Sequence, residues 1–171
     1  NAEESNGVLT IANPQGARWE SNSETNGGAI VITLPQSWTN TMMKMEIDVF
    51  VYNSSGGEGL SFTAKVGGYN STNYERWFNE FAQIVGNTAA NNRVRFGHDG
   101  TNCCIVIGNT GDNWEYPSIA VKNFQGGYSN TAVSQWGNGW SVSIVSDLSG
   151  YVFTGDFSDA LLDAKAILGQ G

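Results

Sequence analysis

The sequence has 171 residues, of which 40% are hydrophobic and 14% are charged, and its formal net charge is −8. The length suits one domain with a single core, and the hydrophobic content is too high for a disordered chain. The acidic balance argues against a nucleic-acid partner, and because no apolar run could span a bilayer we expect no membrane insertion. A surface rich in Gly, Asn, Ser and Thr and poor in charge is typical of extracellular β proteins with many tight turns.

Alternating apolar and polar residues predict strands in the first half of the chain. A short strand is predicted over residues 8–11, and a second over residues 30–34, where Pro35 ends the alternation. Residues 43–51 place their odd-numbered side chains on one face, with Phe50 and Tyr52 at the end of the other face. After a Gly- and Ser-rich turn the alternation resumes at residues 60–66, which predicts a long hairpin.

The second half of the chain also contains segments in which apolar and polar residues alternate. Residues 93–96 alternate, and an Asp-Gly turn joins them to residues 103–107, which predicts a second hairpin. Further strand-like runs cover residues 114–121 and 140–145. The last segment differs, because Ser158 is a good N-cap and an apolar stripe follows at Leu161, Leu162, Ile167 and Leu168, with Gly169 as the stop. It predicts a short C-terminal helix.

The spacing of these segments predicts the fold class. Strands recur at short intervals without the helical crossovers of a parallel sheet. We therefore expect a mostly β protein, an antiparallel β-sandwich with a short C-terminal helix. One domain spans residues 1–171, with N-terminal strands in 1–40, a central region in 41–146 and a tail in 147–171.

Residues that could support catalysis or metal binding are few. The neighbours Cys103 and Cys104 form neither a disulfide framework nor a metal pattern, so we expect two free, partly buried thiols. His98 is the one histidine, and we expect it to be a solvent-facing turn residue without a triad partner. We expect no metal and no cofactor.

A pair of carboxylates could serve a glycosidase. Asp112 and Glu115 flank Trp114, and three further aspartates, Asp156, Asp159 and Asp163, lie near the end of the chain. Neither set matches a known constellation. We therefore expect no catalytic residues and a protein that is not an enzyme.

Aromatic residues make up 12% of the sequence, and six of them are tryptophans. Amphipathic rings in Gly- and Asn-rich segments are suited to stacking on sugars, although large aromatics also fill cores. Trp140 opens a clean alternation and is expected in the core. The candidate ligand-binding residues are Tyr69, Tyr74, Trp77, Trp114, Tyr128 and Trp136.

The central region also carries a set of motifs: an RFG…DG turn over 95–100, an IG strand end at 107–108, a W-YP segment at 114–117 and a GW-S strand at 139–141. Over roughly residues 40–146 the chain resembles the C-terminal receptor-binding region of phage tail fibres, and the related tip domains of trimeric adhesive fibres of predatory bacteria. The resemblance implies a homotrimer at the distal end of a fibre, outside the cell, that recognises a host-surface glycan or protein.

These observations favour a non-enzymatic adhesion domain at a virion tail-fibre tip or a bacterial surface fibre tip, which binds a bacterial surface glycan or another receptor. One alternative is a lectin or carbohydrate-binding module of a secreted enzyme. Another is a structural trimerisation cap. A hydrolase acting through Asp112 or Glu115 is the enzymatic alternative.

Overall fold

A computed structural model describes residues 8–54, 56–87, 92–127 and 133–162. Within these ranges the chain forms eleven β-strands and one turn of 3-10 helix, and no helix there is long and apolar enough to cross a bilayer. The strands are β1 (Val8–Ile11), β2 (Arg18–Glu20), β3 (Ala29–Thr33), β4 (Thr41–Asn53), β5 (Glu58–Ser71), β6 (Arg76–Gly86), β7 (Val94–His98), β8 (Cys103–Ile107), β9 (Ser118–Gly127), β10 (Ser141–Val145) and β11 (Val152–Phe157), and the 3-10 helix covers Val133–Trp136.

The strands form two sheets. The six-stranded sheet has the order β1-β9-β4-β5-β6, with β2 pairing beside β1 on the same edge of β9. The five-stranded sheet has the order β10-β3-β8-β7-β11. All pairings between these strands are antiparallel. The predicted mostly β, antiparallel sandwich is confirmed.

The alternation in β4 explains how the core forms. Met43, Met45, Ile47, Val49 and Val51 are buried between the sheets, whereas the residues between them face outward. Successive side chains of a strand point to opposite faces, so one strand supplies both the core and the surface. The predicted long hairpin is β4 and β5, which pair from Thr41 with Asn70 to Asn53 with Glu58.

Strand β8 is buried on both faces. Cys103, Ile105 and Ile107 join the main core, whereas Cys104 and Val106 join a smaller cluster on the opposite side of the sheet. The chain between β10 and β11 covers this smaller cluster with side chains that include Leu148 and Tyr151. The two thiols are free, as predicted, and both are fully buried.

Residues 114–117 do not belong to a strand, although the sequence predicts one there. Tyr116 has a φ of 47°, and the backbone N–H groups of Trp114 and Tyr116 donate to the carbonyl oxygens of Asn26 and Ser23. This bend delays the start of β9 to Ser118.

The predicted helix start at Ser158 is wrong. Ser158 lies in a bend, and residues 160–162 then run along β6, where Ile84 N–H donates to Ala160 O and Leu162 N–H donates to Ile84 O, both at 2.7 Å. An edge strand has unpaired backbone groups, and pairing with them outweighs the local preference for a helix. The remainder of the predicted helix, with Ile167 and Leu168, lies outside the described residues.

Candidate functional site

The solvent side of the six-stranded sheet is the main exposed surface with large apolar side chains. Met42, Phe50 and Phe81 are 59%, 53% and 45% exposed there. Such a group of exposed apolar residues marks a binding surface. We call this side the outer sheet face, and its members used below are Thr10, Arg18, Glu20, Met42, Lys44, Glu46, Asp48, Phe50, Thr63, Lys65, Phe81, Lys122 and Gln125.

The first recess on this face is a cleft of about 490 Å³ beside Phe81. Lys44 is in register with Gly67 on β5, and Gly67 is in register with Phe81 on β6. A Cβ atom on Gly67 would lie 2.6 Å from Cε1 of Phe81, so the phenyl ring rests on the glycine backbone. We call this recess the lysine cleft, and its lining is Thr10, Lys44, Met45, Glu46, Lys65, Phe81, Asn123 and Gln125.

A second recess of about 440 Å³ lies toward the other end of β4, beside Phe50. Asp48 occupies its centre, where Oδ1 accepts a hydrogen bond from Thr63 Oγ1 at 2.7 Å and Oδ2 lies 3.3 Å from Lys122 Nζ. These three residues belong to three neighbouring strands, so the cross-strand register brings them together. We call this recess the aspartate cleft.

Next to the lysine cleft lies an apolar slot of about 440 Å³ between Met42 and Phe81, with Gly126 and Gly127 also in its lining. Gly127 is in register with the outward Met42 and has no side chain that could fill the slot. The outer sheet face therefore has two polar clefts, each with an exposed ring, and an apolar slot at one end.

Three predicted ligand-binding tryptophans are in the core, and their assignment to a surface site is corrected. Trp77, Trp114 and Trp136 are between 0% and 2% exposed. Each indole has neighbours that account for its burial. Trp77 Nε1–H donates to Gly97 O at 3.1 Å, Trp114 Nε1–H donates to Gly28 O at 2.8 Å, and Trp136 stacks on Phe124 with centroids 5.2 Å apart. Trp140 is buried, as predicted.

The predicted tyrosines have separate environments. Tyr74 is 72% exposed and packs edge-on against Phe78 with centroids 5.6 Å apart. Tyr69 is half-buried on the outer sheet face, in register with Met42. Tyr128 lies outside the described residues.

Sequence reasoning did not select Phe50 and Phe81, the two exposed rings at the clefts. The sequence did indicate that Phe50 faces solvent, because Phe50 lies on the polar side of the alternation in β4. Phe81 carried no such signal, since the register of β6 shifts between the partners of Gly67 and Tyr69 and Asn79 has a φ of 51°. An irregular strand loses its period of two, so its outward residues cannot be recognised.

The carboxylates considered for catalysis hold loops in place. Asp112 Oδ2 accepts from the Asn109 backbone N–H at 2.8 Å. Glu115 accepts from both the backbone N–H and the side-chain hydroxyl of Ser54, at 2.9 and 3.0 Å. Both groups thus support the turns beside them.

His98 is not the solvent-facing residue expected. Its ring is half-buried and stacks on Trp38 with centroids 5.0 Å apart. Nδ1 accepts from the Gly100 backbone N–H at 3.0 Å, so in the neutral ring the proton is on Nε2, which lies 2.8 Å from Ser37 Oγ. An Nε2 that carries a proton donates to the serine and cannot act as its base.

Among the described residues, no group of three or more His, Cys, Asp or Glu side chains could hold a metal ion.

Comparison with known proteins adds little to this description. No family model matches the sequence, and no curated protein is similar to it. A solved structure of WceF from Pantoea stewartii, described as a glycan biofilm modifying enzyme with a bacteriophage tailspike-like parallel β-helix fold, matches with a TM-score of 0.39 and 14% identity. The match covers 84% of this chain and 22% of that chain. A likeness of this size carries no argument about the fold or function of this chain.

Proposed function

We propose that this chain is a non-enzymatic receptor-binding domain that attaches to a bacterial cell-surface glycan through the outer sheet face. One observation carries the proposal: Phe50 and Phe81 are exposed rings, and each borders a polar cleft on the same open sheet. An aromatic ring packs against the apolar face of a sugar, while nearby polar groups bond to its hydroxyls.

The size of the face supports a polymeric ligand. Phe81 is aligned through Gly67 with Lys44, and Phe50 lies six residues further along β4. Six residues of strand span about 20 Å. This separation is longer than one monosaccharide, so an oligosaccharide chain can contact both rings.

Several features support a binding role over a catalytic one. Asp112 and Glu115 are engaged by loop hydrogen bonds, and the proton on Nε2 of His98 prevents it from activating Ser37. The resemblance to fibre tips and the weakly charged surface support a location outside the cell, at the tip of a phage tail fibre or a bacterial surface fibre.

The apolar slot favours a second role for one end of the face, as the contact between copies in a homotrimer. Met42 exposes hydrophobic surface there, at a slot with little polar lining. Sedimentation analysis tests this role. A trimer that dissociates when Met42→Ser is introduced supports it, and a monomeric parent protein contradicts it.

Binding to purified bacterial surface polysaccharides tests the glycan proposal. We expect Phe50→Ala and Phe81→Ala each to weaken binding by about tenfold, which corresponds to about 1.4 kcal/mol. Their melting temperatures should remain near that of the parent, because both rings are largely exposed.

Val152→Ala is the matched control, since Val152 is 65% exposed on the five-stranded sheet. It removes apolar surface away from the outer sheet face and should leave binding unchanged. Binding that survives both phenylalanine substitutions would refute the proposed site. Failure of the folded protein to bind any surface polysaccharide would refute the glycan as ligand and favour a protein receptor.

A further inference from the structure

The outer sheet face differs in charge from the rest of the chain. Its members defined above include four of the eight lysine and arginine residues and three of the sixteen acidic residues, so they sum to a charge of +1 in a chain of net charge −8. A fifth cation, Arg76, is exposed on the same side of β6, over the ring of Phe78. The basic members are Arg18, Lys44, Lys65 and Lys122, and the acidic members are Glu20, Glu46 and Asp48.

Two of the four basic members have carboxylate partners and two do not. Lys122 Nζ lies 3.3 Å from Asp48, and Arg18 lies 4.0 Å from Glu20. Lys44 and Lys65 make no ion pair with any residue in the part of the chain that the structure describes. Both are exposed.

The two unpaired lysines line the same recess. Lys44 and Lys65 both contribute to the lysine cleft, and Glu46 is the one carboxylate among its lining residues. Lys44 is in register with Gly67 and Gln125, which are uncharged, and Lys65 is in register with Glu46 but makes no ion pair with it. The cleft thus has an excess positive charge next to the exposed ring of Phe81 and the side chains of Gln125 and Thr10.

We infer that the lysine cleft binds an acidic saccharide, with its carboxylate or sulfate group between Lys44 and Lys65 and its sugar ring against Phe81. The inference rests on the proposed function and names the ligand class for that site. Ammonium groups form charge-assisted hydrogen bonds with such anions, and amide and hydroxyl groups beside them bond to sugar hydroxyls.

The negative net charge of the whole chain does not prevent an acidic saccharide from binding in the lysine cleft. At physiological ionic strength the Debye length is about 8 Å, so exposed charges farther away than this are largely screened. The charge next to the ligand therefore decides its attraction. It follows that added salt weakens the binding of the acidic saccharide.

The test compares acidic polysaccharides with their neutral counterparts on the intact chain. Polygalacturonate is compared with its carboxyl-reduced form, and dextran sulfate with dextran. We expect at least one acidic polymer to bind about tenfold more tightly than its counterpart, the order of one charge-assisted hydrogen bond. The pair that shows the difference identifies the anionic group as carboxylate or sulfate.

The variant Lys44→Gln/Lys65→Gln should remove this preference and retain binding of the neutral polymer. Ser141→Glu is the charge control, because it lowers the net charge by one unit at an exposed position of β10 on the other sheet. We expect Ser141→Glu to bind like the parent.

The outcomes separate the two proposals. Equal binding of acidic and neutral forms, or an acidic preference that survives the double lysine substitution, overturns the acidic ligand and leaves the glycan-binding face intact if Phe81→Ala still weakens binding. Loss of preference in Ser141→Glu as well assigns the effect to net charge and also overturns the inference. No binding of any polysaccharide refutes both.

Discussion

The indole of Trp77 donates a hydrogen bond from Nε1 to the carbonyl oxygen of Gly97 at 3.1 Å and thereby joins the two sheets. Trp77 belongs to β6 in the six-stranded sheet, and Gly97 belongs to β7 in the five-stranded sheet. Its ring also packs against Phe96, with centroids 5.3 Å apart. The sequence placed Trp77 among the ligand-binding residues, and the structure assigns it to the core.

Trp77→Ala should therefore reduce stability and leave binding unaffected. Removing a buried tryptophan costs about 3–5 kcal/mol, because it leaves a cavity and here also leaves the Gly97 carbonyl without this donor. Urea denaturation measures the loss, and polysaccharide binding per folded molecule should equal that of the parent. A stable variant with weakened binding would return Trp77 to the ligand site.

The two cysteines should not react in the folded protein. Burial raises the pKa of the Cys103 thiol to about 12, with a smaller opposing effect from Asn70, and burial also raises the pKa of Cys104. The thiolate is the reactive form, so an aromatic disulfide reagent at pH 8 should label neither residue. In urea both should react, and rapid labelling of either thiol in the native state would contradict this.

The same pKa shifts predict a loss of stability at high pH. A thiol whose pKa is higher in the folded state stabilises the protein below the unfolded pKa, which is about 8.5 for cysteine. The free energy of unfolding should fall as the pH rises above this value. Cys103→Ala, compared with the parent by urea denaturation from pH 7 to 10, should flatten that dependence.

Acid should weaken the pairing of β7 and β11. Arg93 donates two hydrogen bonds to Asp156, at 3.0 and 2.7 Å, and these hold the pKa of Asp156 below its usual value. The stabilisation is thus present above about pH 4 and is lost as the pH falls through the lowered pKa. Because the pair is partly exposed, it contributes less than about 1 kcal/mol.

Asp156→Asn provides the comparison for this pair. Its unfolding free energy should lie below that of the parent at pH 6, and the difference should disappear as the pH is lowered toward 2. A difference that stays constant with pH would show that the carboxylate charge has no part in it.

The segment at residues 160–162 should protect the edge of β6. Leu162→Pro removes the N–H that donates to Ile84 O, whereas Leu162→Ala retains it. We expect the Ile84 amide to exchange its hydrogen faster in the proline variant than in the alanine variant. Equal exchange rates in the two variants would contradict this pairing.

Regular strands could be predicted from the sequence, and irregular ones could not. Residues 43–51 and 60–66 alternate without interruption, and both belong to strands of the predicted hairpin. Strand β6 was missed because its bulge interrupts the alternation, and β2 was missed because three residues carry too little pattern. The prediction of a helix from Ser158 was wrong, because the local N-cap pattern carries no information on the open edge of β6 with which this segment pairs.

The candidate site was harder to predict, because an aromatic ring can either fill the core or lie exposed on the surface. Trp136 and Tyr74 both lie in polar, Gly- and Asn-rich surroundings in the sequence, yet Trp136 is buried against Phe124 and Tyr74 is exposed. The burial of Trp136 and the exposure of Tyr74 depend on residues that are distant in the sequence. Local composition does not show where those residues lie. Lys44 and Lys65 meet in one cleft only because β4 and β5 pair in this register.

Because β4 alternates strictly, its buried residues and its exposed residues can change independently of each other. Val49 and Val51 are sealed inside, and Phe50 between them faces outward. A mutation at Phe50 changes the exposed surface of the sheet without repacking the interior. The outward positions of β4 can thus change one at a time while the architecture of the sandwich stays the same.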